Sequence, residues 1–158
     1  GAGVAHCPLS NSYFANAVFP TRRIMRAGVK IGLGTDIAGG AEPGLLAQCA
    51  LAVTSSRMLQ DGVDQDRAPD DRGVADSRLD AVAAFHLGTA GGADVLGIPV
   101  GRLQAGCQFD AIVVDTASAA SGLRLWDAVD DDGRAFEKIV RLARPADITA
   151  VWVAGRRV

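Results

Sequence analysis

The chain has 158 residues, 49% hydrophobic, 22% charged and 5% aromatic, with a formal charge of −2 at neutral pH. That is ample apolar material for a core, but too little clustered Lys and Arg for a surface that holds nucleic acid or an anionic membrane. Its three cysteines, Cys7, Cys49 and Cys107, suit neither a disulfide framework nor a Cys-x-x-Cys metal clip and predict a reducing, cytoplasmic setting, while no apolar stretch reaches the roughly 18 residues of a membrane span.

In chain order, GVAH (3–6) predicts a short buried strand and TRRIMRA (21–27) a helix, with Thr21 as its N-cap and Gly28 as its stop. VKIGLGTD (29–36) predicts a second strand, followed by the glycine-rich turn AGGAEPG (38–44). A longer helix then places Leu45, Leu46, Cys49, Ala52, Val53 and Leu59 at helical spacing and ends near Gly62. Residues 61–76 are polar and aperiodic, with Pro69 and Gly73, and predict a surface loop. Ser77-x-x-Asp80 has the form of a capping box opening a helix that carries Leu79, Val82, Ala83, His86 and Leu87 on its packed face, and residues 88–97 close it in a small-residue turn. From residue 97 the pattern turns β-rich, with strands predicted at 109–115 and 148–153, and Asp130–Asp132 read as a solvated loop. Strand, helix, strand, helix predicts α/β architecture with parallel βα units, whose ligand-facing positions lie at the carboxyl ends of the strands.

His6 and Asp36 both fall at such ends, thirty residues apart. A carboxylate directly after IGLGT can bind a divalent cation and take a proton from water, or it can cap the following turn. His6 can serve a ligand or hold the core by hydrogen bonding. Ser10 and Asn11, after Pro8, either structure a turn or line a pocket, and His86 belongs to a packed face. The glycine-rich segments match neither the dinucleotide fingerprint nor the phosphate loop; His-Glu-x-x-His and Pro-Cys-x-x-Cys are both lacking.

The stretch VAHCPLSNSYFANAVFPTRRIMRAGVKIGLGTDIAGG (4–40), with its HCPxSN and GLGTDxxGG elements, resembles the seventh- and eighth-strand region of the amidohydrolase superfamily, in particular bacterial guanine deaminases. Residues 77–115 resemble the helix after strand eight and the return to a composite β-sandwich, and ADITAVWVAGRRV (146–158) its closing hairpin. The resemblance implies a C-terminal portion of such an enzyme, with residues 1–96 as the last βα units of a (β/α)8 TIM-type barrel and residues 97–158 as a segment of the sandwich. The chain opens on Gly1 instead of Met, in keeping with a cut end. Cys107 departs from the family, standing where a Lys is commoner.

What the resemblance implies is zinc-dependent hydrolytic deamination of guanine to xanthine and ammonia. Asp36 would be the eighth-strand metal ligand and catalytic proton acceptor, and His6, Ser10 and Asn11 would be walls of the purine pocket or its supporting layer. The family's remaining ligands, its Glu and its further catalytic His would all precede residue 1, so this chain alone is expected to be inactive. A homodimer is implied for the whole protein. The alternatives are another amidohydrolase, such as an oxidised-purine deaminase or a chlorohydrolase, and a non-catalytic truncated α/β module.

Overall fold

The computed structural model describes residues 1–118 and 121–158. Two short strands, β1 (Gly3–His6) and β2 (Lys30–Leu33), pair in parallel from Gly3 against Lys30 to His6 against Leu33. Parallel neighbours need a crossover, and here it is supplied by α1 (Pro8–Ala15) and α2 (Thr21–Arg26). Both strands end where the sequence turns polar or glycine-rich, so β2 is four residues rather than the eight predicted. α2 begins one residue away from its expected cap: Pro20 holds the cap position, while the Thr21 hydroxyl donates to the Phe19 carbonyl. Gly28, at φ +78°, then turns the chain into β2.

α3 (Leu45–Asp61) buries Cys49, Ala52 and Val53 of the predicted stripe, while Leu45 at its start is exposed. The exposed loop after it is tied down at several points. Gln60 Oε1 accepts the Ser77 and Arg78 N–H groups, Ser56 Oγ accepts the Leu79 N–H, and Asp76 forms ion pairs with Arg22 and Arg26. Anchoring Leu79 in the core this way delays the next helix. It opens at Asp80, whose carboxylate accepts the Ala83 N–H at 2.7 Å, and not at Ser77.

That helix runs on where a turn was expected. α4 (Ala81–His86) passes through a π-helical turn (Leu87–Gly91) into α5 (Gly92–Leu96). The glycines that suggested a turn serve close packing instead: a Cβ on Gly32 of β2 would lie 2.7 Å from the Gly92 Cα. Only two bare backbones can approach so closely. With the helix phased from Asp80, the buried face runs Ala81, Ala84, Leu87, Ala90, whereas Val82 and His86 are exposed. His86 is therefore not a core residue.

The region after residue 97 holds a three-stranded antiparallel sheet in the order β3 (Ala111–Val114), β4 (Ile148–Val153), β5 (Arg156–Arg157). Between β3 and β4 lies α6 (Asp132–Leu142), which the sequence reading missed. The acidic run that suggested a solvated loop is structural: Asp131 caps α6 by accepting the Arg134 N–H, and Asp130, its side chain only 4% exposed, pairs with Lys138 at 2.6 Å. Lys138 also lies over the Trp126 ring. α6 packs against α3 and α4, and its Val140 joins Ile31, Leu33, Val53, Leu79 and Leu87 in one core cluster. Each such side chain, fully buried, contributes roughly 1.5–3 kcal/mol.

Candidate active site

At the carboxyl end of the parallel pair the two strands turn away together. The Gly34 N–H donates to the His6 carbonyl at 2.9 Å, extending the pairing one step past β2. On one side Pro8 opens α1 directly after Cys7; Pro suits a first-turn position, where its missing N–H leaves no bond unmade. On the other side Asp36 adopts φ +53° and its carbonyl accepts the Gly40 N–H, closing a tight turn over residues 36–40. Glycine is needed at position 40, and at 39 a side chain would crowd the Asp36 carboxylate. A Cβ on Gly39 would lie 2.9 Å from Asp36 Oδ2, and one on Gly40 would collide with the Thr35 carbonyl oxygen and lie 3.2 Å from Ser10 Oγ.

These contacts bring the two turns together. Ser10, on α1, is adjacent to Gly40 of the Asp36 turn. Cys7 lies beside Asp36: burial, and then the negative charge of Asp36, raise the thiol pKa, while a hydrogen bond from the Asp36 backbone acts against them. Asp36 itself is exposed. His6 is 3% exposed, with its ring centroid 5.1 Å from that of Phe19. Burial pushes its pKa down to about 4, against a smaller upward effect of a side-chain hydrogen bond with Asn11. The imidazole is thus neutral at physiological pH and cannot act there as a cation. His6 Nδ1 and Ser10 Oγ are both buried without a hydrogen-bond partner among the described residues, which is costly unless another group satisfies them. Tyr13 and Phe14, in contrast, form an exposed edge-to-face pair, so of the three nearby aromatics only Phe19 packs onto the predicted site.

One residue here escaped the sequence reading. Gln48 is fully buried, with Oε1 accepting the Leu9 N–H at 3.4 Å and Nε2 donating to the Glu42 carbonyl at 3.2 Å. Its signal was present: at 48 it interrupts the helical stripe formed by Leu45, Cys49 and Ala52.

As to a metal, Asp36 is an accessible oxygen donor suited to a divalent cation, with the orphaned polar atoms of His6 and Ser10 on the neighbouring β1 and α1. Asp36 therefore fits as one ligand. Among the described residues no three His, Cys, Asp or Glu side chains gather into a metal-binding group, so further donors are required. Two cavities lie elsewhere. One of about 600 Å³ is bordered by Arg22, Arg57, Arg78 and Arg141, and one of about 200 Å³ is bordered by Lys30, His86 and Asp94; neither includes His6, Ser10, Asn11 or Asp36. No helix among the described residues is long and apolar enough to cross a membrane.

Known proteins place this architecture. The E. coli guanine deaminase structure superposes with a TM-score of 0.78 at 27% identity, covering 99% of this chain and 34% of that one. The zinc complex of atrazine chlorohydrolase from Arthrobacter aurescens shares the fold, with a TM-score of 0.73 at 21% identity over 99% of this chain and 31% of that one. Guanine deaminase of Mus musculus is 31% identical over 163 residues, spanning 100% of this chain and 34% of its own length. The chain thus spans about a third of the length of the curated relatives it matches. The Amidohydrolase family profile matches residues 1–158 without remainder, and with a matching α/β fold the conclusion is direct: this chain belongs to the amidohydrolase family.

Proposed function

We infer that this chain is the carboxyl-terminal part of a zinc-dependent guanine deaminase, which hydrolyses guanine to xanthine and ammonia. Residues 1–96 would form the last βα units of a (β/α)8 barrel, and residues 97–158 part of a composite β-sandwich. The observation that carries the reading is Asp36, an exposed carboxylate just past the carboxyl end of β2 and beside the start of α1, in a chain whose relatives include named guanine deaminases.

Asp36 would hold the metal as one ligand and accept a proton at its carboxylate as water adds to C2 of the purine; the amine leaves as ammonia and the water oxygen remains on the ring. Zinc, when bound, supplies Lewis acidity that lowers the pKa of a water toward neutrality. His6, neutral at working pH, serves as an uncharged hydrogen-bonding group behind Asn11, and Ser10 and Asn11 line or support the purine pocket. The metal is supported by a fold relative whose structure contains zinc. Composition supports a cytoplasmic protein, and a homodimer is the assembly we assign to the full-length protein.

The test is a substrate panel on the purified full-length enzyme. Guanine should exceed adenine, cytosine and triazines in kcat/KM by at least about a hundredfold, roughly 3 kcal/mol of differential transition-state binding. Asp36→Ala should lose both turnover and zinc, and Asp36→Asn turnover. Higher efficiency on another member of the panel moves the chain to another branch of the family; near-normal turnover and zinc content in Asp36→Ala removes Asp36 from the chemistry.

A further inference from the structure

We propose that Gln48 is a positioning residue for the reaction, setting the distance between the turn that carries Asp36 and the start of α1, which carries Ser10 and Asn11 next to His6 at the end of β1. The inference rests on the assignment of Asp36 above. Gln48 sits in the first turn of α3 and reaches both segments with one amide. Its Oε1 accepts from Leu9, whose N–H belongs to the first turn of α1 and so has no partner within its own helix. Its Nε2 donates to the carbonyl of Glu42, in the segment that links Asp36 to α3. That segment is itself closed, because Glu42 Oε1 accepts the Gly44 N–H at 2.7 Å and the Asp36 carbonyl accepts the Gly40 N–H. A shift of either partner is therefore passed to Ser10 on one side and to Asp36 on the other.

Packing alone does not call for an amide at this position, since a Met of the same length fills the volume. Met would also leave the Leu9 N–H and the Glu42 carbonyl without this partner, so Gln48→Met is expected to lower stability as well as to loosen the site. What the amide adds is direction, since it ties the first turn of α1 to the Glu42 segment where a thioether would let them slide. A Cβ placed on Gly40 would lie 3.2 Å from Ser10 Oγ, so the two segments run close together and a slide of either changes the geometry around Asp36.

The experiment compares Gln48→Met, Gln48→Asn and Asp36→Asn in the full-length enzyme, with guanine as substrate, at a temperature where circular dichroism shows each variant folded. Gln48→Met should lower kcat about ten- to a hundredfold while KM changes less than about threefold, since a misplaced proton acceptor is felt only in the transition state. Gln48→Asn keeps both functional groups on a stem too short to hold both bonds and should fall between Met and wild type; it alone decides the matter if the Met variant does not fold. A lower melting temperature with kcat within about twofold of wild type in both variants reduces Gln48 to a structural residue and overturns the proposal. If instead Asp36→Asn keeps its turnover, the assignment of the reaction fails, whatever Gln48 does.

Discussion

At the carboxyl end of the β1–β2 pair the unsatisfied groups are polar and buried, namely His6 Nδ1 and Ser10 Oγ. On the β3–β5 sheet the anomaly is reversed: Ile112, Val113 and Val153 are apolar and exposed. The two departures differ in cost. A buried polar atom without a partner forgoes about 1–3 kcal/mol, whereas a single exposed Val or Ile is ordinary on a protein surface and only a contiguous apolar patch marks a contact. The parallel pair thus carries local expense where the chemistry is assigned, and the antiparallel sheet presents surface at little local cost.

Substitution at the Asp36 turn should break this contrast most severely. Gly40→Ala drives a Cβ into the Thr35 carbonyl and against Ser10, so the turn must open. The expected cost is about 3 kcal/mol or more, read as a loss in urea-midpoint stability. The matching change in the sheet, Gly155→Ala, meets nothing within 4 Å and pays only for φ +77°, about 1 kcal/mol. Equal losses would show that the two turns are constrained alike.

Next in size is the response to acid. The folded-state pKa of His6, about 4, lies below its ordinary 6.5, so the unfolded chain takes up the proton first. The His6 contribution to stability is retained above pH 6.5, falls as pH drops toward 4, and is spent below that, a loss on the order of 3 kcal/mol. Denaturant titrations from pH 7.5 to 3.5 should show that slope in the wild type and lose it in His6→Gln. An unchanged slope in the variant would assign the acid sensitivity to other groups. The smallest effect is expected on the sheet, where Ile112→Thr should change stability by less than about 1 kcal/mol and leave turnover of the full-length enzyme intact. A larger loss would mean that β3 carries more of the fold than its exposure indicates.

How far the sequence spoke depended on whether a residue's role was local. GVAH and VKIGLGTD announced strands through their apolar runs, and with them the positions of His6 and Asp36, because a strand end is set by a few consecutive residues. Gln48 visibly interrupts an apolar stripe, but its role stayed hidden because its partners, Leu9 and Glu42, come from two other segments. The π-helical turn was missed for a related reason. Glycines at 88, 91 and 92 suggest a turn, and their use in a continuous helix is visible only from what lies opposite: Cys49 against Gly88, the Ile31 carbonyl against Gly91 and Gly32 against Gly92. In Asp130–Asp132, local charge masked a cap and an ion pair that α6 completes.

The arrival of Val140 in the core of the parallel pair has a bearing on synthesis. Leu33 and Val140 share one cluster, so that cluster cannot close until about a hundred further residues have followed β2 off the ribosome, roughly 5 to 20 s of translation at ordinary rates. For that interval β2 and α3 carry uncovered apolar surface, and the nascent chain is open to chaperones and to misassociation with its neighbours on the same message.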